Sequence, residues 1–456
     1  MSSQQLKQLL GRRILSEAND LKRTITSLAS EIGYDENKLN NIVKGECHID
    51  ETYEVINRMG KHYPIDISDL YFGEDDCTNG VRFMREEESR KSSRIFTRKD
   101  RTGNRTPFYD YRDTAMSKLG PFKPEWIKEL RVVDNNDPYN PDIAYNNGHF
   151  LHQMTFFIGP VNFYWEVNGK KYCTEMNTGD SNYITPFWPH SFASRDANQL
   201  ALIIAVTYGG DVRRSQKELY NLGGDKIQSY LLDYRNHNRA TVQLIKQHLA
   251  NENLTEENFK ELVKQKNVQL DADKVLNEKT DKTFDELSKV AGLLNCDVSD
   301  LLIPLYEENQ EVVVKYRQEK EGYFFPSAKR KLYRVWPLAR CAKMPLMKGS
   351  DVEILSQEAS LDDAFTISLH SYVFNYGDAP FCFTWMNEGK TCSEEVQPGD
   401  SIYIQPFVKH ACSNTSNKNG KFFTIRVSGA VNYATQKELS YFADSRRIIE
   451  SKCWFD

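Results

Sequence analysis

The chain has 456 residues, enough for about three domains of ordinary size. Hydrophobic residues make up 39% and charged residues 27%, with 24 Phe and 24 Tyr, which supports packed cores and excludes a mostly disordered or collagenous chain. A net charge of -5 argues against a dedicated nucleic-acid binder, and the longest apolar run, residues 200–206, is far short of a membrane span. The nine cysteines are odd in number and include no CxxC pair, so neither a disulfide framework nor a zinc knuckle is indicated. The polar first segment, MSSQQLKQLLGRRILSE, lacks a secretory h-region, and the expectation is a soluble cytoplasmic protein.

In chain order, residues 24–45, TITSLASEIGYDENKLNNIVKG, show short apolar-periodic segments broken at Gly33 and ended at Gly45. That is the pattern of a helix-turn-helix. Further on, runs such as QMTFFIG, SNYITPF and ALIIAV alternate aromatic and β-branched residues between NG, GD and GP turns, which predicts many short strands. The chain then repeats itself. WEVNGKKYCTEMNTGDSNYITPFWPH at 165–190 returns as WMNEGKTCSEEVQPGDSIYIQPFVKH at 385–410, keeping Trp165/Trp385, Gly179/Gly399, Asp180/Asp400 and His190/His410 in one register. QKEL at Gln216 and again at Gln436 holds the same offset. Weaker matches around Asp35, Ile49 and Ile67 recur around Asp271, Phe284 and Val298. The expected fold class is mixed all-β plus α, a tandem repeat of a helix-turn-helix-like unit followed by a double-sheet jelly roll, the double-stranded β-helix of cupins. The expected boundaries are 1–75 and 215–304 for the helical units, and 76–214 and 305–456 for the β-units.

One segment of the first β-unit carries chemistry. On a strand, His149, Leu151 and Gln153 of NNGHFLHQMTFFIGP share one face, while Phe150, His152 and Met154 share the other. His190 ends the later PFWPH segment. Two imidazoles and one oxygen donor, with open positions opposite, are the ligand set of non-haem Fe(II) oxygenases. No Asp or Glu lies between His149 and Trp165, or from Tyr183 to His190. The amide oxygen of Gln153 is therefore the candidate third ligand. The alternative makes His152 the ligand and Gln153 a hydrogen-bonded wall residue. In the second copy, aligning Gly377 with Gly159 puts Ile367 and Ser371 at the places of His149 and Gln153, with His410 kept. Two of three ligands are missing there, so one metal per chain is expected.

With NNGH, the PxxPH-type segment and the duplicated helical-plus-cupin plan, the chain resembles the 2-hydroxyethylphosphonate dioxygenase and methylphosphonate synthase family over nearly its full length. Hydroxypropylphosphonate epoxidase shares the plan at greater distance. The resemblance implies an Fe(II) oxygenase with one iron per chain, O₂ as co-substrate and no 2-oxoglutarate. The dioxygenase pattern places a Glu ligand on the strand leading to the last His, where this chain has Ile184 and Thr185. The synthase pattern instead has a Gln four residues after the first His, as Gln153 stands to His149. The implied reaction cleaves the C–C bond of 2-hydroxyethylphosphonate to give methylphosphonate and CO₂ or bicarbonate. The alternative course gives hydroxymethylphosphonate and formate. The family pattern also implies a phosphonate cradle of Lys22, Arg101 in RTG, Tyr111 in FYDY and Asn146 in NNGH, with Lys22 and Tyr111 acting in catalysis. A dianion needs such charge-assisted donors. A homo-oligomer is implied as well.

The helix-turn-helix raises a different class, a regulator with a ligand-sensing cupin. Its second helix begins with Asp35 and Glu36 at the end that would approach phosphates, and acidic residues there repel the backbone of DNA. A small-molecule sensor also has no need of His149, Gln153 and His190 together. DNA binding and membrane association are both expected to be absent.

Overall fold

The computed structural model describes residues 3–71, 75–304 and 311–444. The first helical unit is built by its caps. Thr24 accepts from the Ser27 amide to start the helix Ile25–Glu31, and Asp35 accepts from the Lys38 amide to start Glu36–Lys44. Gly33 and Gly45, both at positive φ, make the turn and the stop. The helix Ser3–Asp20 crosses so closely that a Cβ at Gly11 would lie 2.4 Å from the Ile42 carbonyl oxygen. A second helical unit, with His237–Asn251, Glu256–Gln265 and Phe284–Leu293, encloses its own core of Ile245, Phe259, Leu287 and Val290.

Strands of the first β-unit are β2 (Arg94–Lys99), β3 (Arg105–Asp113), β4 (Glu125–Glu129), β5 (His152–Ile158), β6 (Val161–Val167), β7 (Lys170–Met176), β8 (Ser181–Ile184), β9 (His190–Ser194) and β10 (Leu202–Tyr208). The turn between β6 and β7 is Asn168-Gly169, both at positive φ, as a two-residue hairpin of primed type requires. A large antiparallel sheet and a small one, in the order β7-β6-β9, pack face to face around Phe108, Phe157, Phe163, Phe192 and Ile203. The second β-unit repeats this plan.

Two strands are exchanged. β1 (Val81–Met84), which follows the first helical unit, pairs with Ser401–Ile404 of the second β-unit. β11 (Val312–Lys315), which follows the second helical unit, pairs with β8 of the first. Each large sheet therefore has seven strands, one donated by the other half. Boundaries drawn at 76 and 305 keep each of these strands with the unit that follows it in sequence; the hydrogen-bonded ladders assign them the other way. The outer faces of the two large sheets pack against each other, with Phe156 stacked on Phe423 at 5.1 Å. On β5, Met154 and Phe156 thus enter this interface, while Gln153 faces the space enclosed with the small sheet.

Candidate metal centre

His149 is held just ahead of β5 by a close backbone approach. Gly148 sits at φ 72, and a Cβ there would lie 2.5 Å from the Phe187 carbonyl carbon. The Phe187 amide donates to the His149 carbonyl at 2.8 Å, which ties the ligand loop to the segment leading into β9. Each histidine is then oriented by its own backbone. His149 Nδ1 lies 2.9 Å from the Leu151 carbonyl and His190 Nδ1 lies 2.9 Å from the Trp188 carbonyl. Both Nδ1 atoms carry the proton, so both Nε2 atoms turn a lone pair inward. Burial, reinforced by the neighbouring His149 and opposed by the bond to Trp188, pulls the pKa of His190 down to about 4. It is a neutral imidazole at neutral pH.

The Gln153 amide is fixed in one sense. Its Nε2 donates to Thr155 Oγ1 at 3.0 Å, which leaves Oε1 pointing into the site, 3.1 Å from His149 Nε2. Two lone-pair atoms at that distance repel unless a positive centre lies beside them. The donor set thus fits a divalent cation, with two imidazole nitrogens and one amide oxygen converging and the imidazole rings 5.3 Å apart. Asn146 fastens the ligand loop, its Oδ1 accepting from the amides of His190 and Gly148; its Nδ2 lies 3.0 Å from His190 Nε2, on the lone pair that a bound cation would take from it.

These groups open onto a cavity of about 220 Å³, whose wall includes Arg98, Tyr109, Tyr111, Glu125, Asn146, His149, Gln153 and His190. Five of the seven residues expected from sequence are therefore together: Tyr111, Asn146, His149, Gln153 and His190. Arg101 is not among them; it sits on the exposed tip of the β2–β3 hairpin in an ion pair with Asp142. Lys22 lies in a left-handed turn after the first helix, with Nζ 3.3 Å from the Asp20 carbonyl, and does not line the cavity. Arg98 supplies the guanidinium on the wall. The run RKDRTGNR offers several cations, and only the position of the hairpin tip separates them; in the β2–β3 ladder Arg94 lies opposite Tyr111, Phe96 opposite Tyr109 and Arg98 opposite Thr106, so the strand that faces FYDY was the usable signal.

Tyr111 is held protonated by burial, with Glu129 and Glu125 adding to the upward push on its pKa. Glu125 itself lies 3.2 Å from Lys123 and 3.5 Å from Arg94. Glu129, four residues further along β4, is fully buried with no hydrogen-bond partner for either oxygen among the described residues. Burial alone pushes its pKa well up, which favours the protonated form. His152 faces away from the cavity. Its Nδ1 meets the Tyr183 hydroxyl at 2.8 Å between the two β-units, where burial lowers its pKa to about 4. The geometry favours Gln153 over His152 as the third donor.

The second β-unit keeps the frame without the donors. The Phe407 amide bonds the Ile367 carbonyl, as Phe187 bonds His149, and His410 Nδ1 bonds the Val408 carbonyl. His370 meets the Tyr403 hydroxyl at 2.7 Å, as His152 meets Tyr183.

No family model matches the chain. It is 39% identical over 457 residues to the methylphosphonate synthase of Nitrosopumilus maritimus (strain SCM1), covering 98% of this chain and 95% of that one. Its structure superposes with a TM-score of 0.86 on Streptomyces albus HEPD with substrate 2-hydroxyethylphosphonate and Fe(II) bound, at 30% identity over 99% of both chains. A cadmium complex of Phpd with hydroethylphosphonate shares the fold, with a TM-score of 0.72 at 17% identity over 97% of this chain and 99% of that one. With this identity sustained from end to end, the chain belongs to the family of methylphosphonate synthase and 2-hydroxyethylphosphonate dioxygenase.

Proposed function

We propose that the protein is a non-haem Fe(II) oxygenase that converts 2-hydroxyethylphosphonate and O₂ to methylphosphonate and CO₂ or bicarbonate. The observation that carries this reading is the Gln153 amide, turned by Thr155 so that its oxygen joins His149 and His190. These three residues would hold one iron per chain. Bound iron supplies a Lewis-acid centre where substrate oxygens and O₂ meet. The substrate provides all the electrons that O₂ takes up, so no 2-oxoglutarate is consumed.

The chain's own residues bind and orient. Arg98 offers a planar fork and Tyr111 a protonated phenol to the phosphonate, with the Asn146 amide beside His190. Lys22 completes the cradle when the helical unit closes over the cavity of its own or a neighbouring subunit in a homo-oligomer, and Arg101 holds the hairpin that carries Arg98. A neutral amide ligand leaves the iron site at its full +2 charge. One unit of charge a few Å from the phosphonate is worth roughly 4 kcal/mol at an effective dielectric of about 20. Gln153 therefore favours capture of a dianion more than a carboxylate would.

In this reading the architecture is a duplicated helix-turn-helix plus cupin, in the cytoplasm. No helix among the described residues is long and apolar enough to cross a membrane. The N-terminal end of Glu36–Lys44 spends its acidic groups on local bonds, Asp35 to the Lys38 amide and Glu36 to Thr26, rather than offering a phosphate contact. Phosphorus NMR of protein loaded with Fe(II) without oxygen, then aerated with 2-hydroxyethylphosphonate, tests the reading. Methylphosphonate is the expected product; hydroxymethylphosphonate as the main product overturns the synthase assignment.

A further inference from the structure

In the small sheet of the first β-unit, three residues form one rung. Trp165 on β6 lies directly opposite His190 on β9 and directly opposite Tyr172 on β7. The rung runs from a candidate metal ligand to the edge strand of the sheet. Its aromatic contacts are continuous. His190 touches Phe192 with ring centres 5.8 Å apart, Phe192 stacks on Phe163 at 5.2 Å, and Phe163 stacks on Trp165 at 4.8 Å. Trp165 in turn stacks on Tyr172 at 5.4 Å and 11°. Tyr172 is half-buried.

The second β-unit is an internal control. It keeps the corresponding histidine and tryptophan, His410 opposite Trp385, but places Cys392 where the first has Tyr172. Trp385 is buried under the exchanged strand, its Nε1 donating to the Asn79 carbonyl and its ring packed on Phe83. The unit without the two other ligands thus lacks the tyrosine that ends the rung.

We propose that Trp165 and Tyr172 form an electron-supply path to the iron site, which protects the protein when O₂ reacts there without substrate. The inference rests on the oxygenase reading above. Reduction of O₂ to two waters takes four electrons and four protons. In productive turnover the substrate gives all four electrons; without it, Fe(II) gives one in becoming Fe(III), and three must come from elsewhere. Each time the path acts, Trp165 passes one electron inward and is refilled by Tyr172, whose phenol loses an electron to Trp165 and a proton to water. Per O₂, three low-molecular-weight thiols return hydrogen atoms to the Tyr172 radical and a fourth thiol restores Fe(II), so four thiols give four electrons and four protons and close to two disulfides. Without the path, the same electrons come from side chains beside the metal, and His190 and its neighbours are destroyed.

The test compares wild type with Tyr172→Phe, which keeps the ring stack and removes the phenol. Iron content and phosphonate product are measured first in both; absence of iron-dependent turnover in the wild type refutes the oxygenase reading and this path with it. The iron-loaded proteins are then aerated without substrate and frozen, using ring-deuterated tyrosine to identify the radical by electron paramagnetic resonance. A tyrosyl signal in the wild type that disappears in Tyr172→Phe is expected. In repeated O₂ additions with a low-molecular-weight thiol present, the variant should also survive severalfold fewer unproductive cycles, with peptide oxidation moving to Trp165 and His190, while turnover with substrate stays at the wild-type rate. An undiminished tyrosyl signal in the variant, or oxidation centred on Tyr109 and Tyr111 in both proteins, overturns the proposal, as does equal survival of the two.

Discussion

Replacing Thr155 by Val tests whether the orientation of the Gln153 amide is what makes the site. Thr155 is fully buried on β5, and Val has the same branched outline, so no cavity opens and the lost hydroxyl is the change tested. The substitution removes one oxygen, the acceptor 3.0 Å from Gln153 Nε2. A buried amide donor left without its acceptor costs about 1–3 kcal/mol. The amide can relieve that cost by turning over, but its oxygen then leaves the metal site and a nitrogen without a lone pair takes its place. Loss of such an outer partner weakens metal binding by about 10- to 100-fold. Anaerobic Fe(II) titration against a competing chromogenic chelator measures this directly. Thr155→Ser, which keeps the hydroxyl, should stay near the wild type. Asn182 lies opposite Thr155 across the β5–β8 ladder and could take over as acceptor, and the Thr155→Val/Asn182→Leu pair closes that route. Wild-type iron affinity in the double variant would refute the reasoning.

His190→Ala should lose the iron while His410→Ala keeps one per chain, because only the first β-unit has three converging donors; metal analysis of the purified proteins decides, and equal loss contradicts a single site. Arg98→Met should raise KM for the phosphonate by about 10- to 100-fold, the range of a charge-assisted hydrogen bond worth roughly 1.5–3 kcal/mol, while Arg101→Met should move it little; steady-state kinetics with the order reversed would return the anchor to Arg101. Burial holds His152, His190, His370 and His410 each at about 4, below the ordinary histidine value. The unfolded chain takes up protons below about pH 6.5 while these folded groups do not until about pH 4, so their contribution to stability is full above pH 6.5 and is lost as pH falls through that window. Glu129, raised by burial, works in the opposite sense. The measurement is therefore the difference between the wild type and His370→Gln in urea midpoints at pH 7.5 and 5, and a pH dependence unchanged by the substitution counts against the histidine.

The duplication was readable because the turns demand particular residues. Gly179 and Gly399 both sit at positive φ beside an Asp that accepts backbone bonds, so neither could drift without breaking a corner. The donors His149, Gln153 and His190 were readable from residue type and from the duplicated frame around His190, but strand alternation was the wrong reason for the first: β5 begins at His152, and His149 is turned in by the Gly148 approach to Phe187. The exchanged strands were not readable. VRFM and VVVK carry no mark of which sheet they will join, since pairing partners are set by where the helical units release the chain. The choice of Arg98 over Arg101 was lost for a related reason: in a run dense with cations, three residues of offset separate a wall from a hairpin tip, and the ion pair that holds Arg101 comes from Asp142, 41 residues away. Glu129 gave no signal either, because each of the two acidic residues in EWIKE looks like any solvated strand position.

The exchange of β1 and β11 bears on why a β-unit with one histidine left from a metal site persists at all. The Thr185 amide and hydroxyl, on the segment leading to His190, both bond the Glu311 carbonyl at the entry to β11. Cutting away everything after the second helical unit would therefore strip the outer strand from the sheet that carries Gln153, leaving β8 as an open edge ready to pair with another molecule. The second copy can stand without the metal donors, but the first cannot stand without the second copy, because each half is finished by a strand from the other. The crossing acts as a ratchet: absence of ligands there is tolerated, and absence of the fold is not.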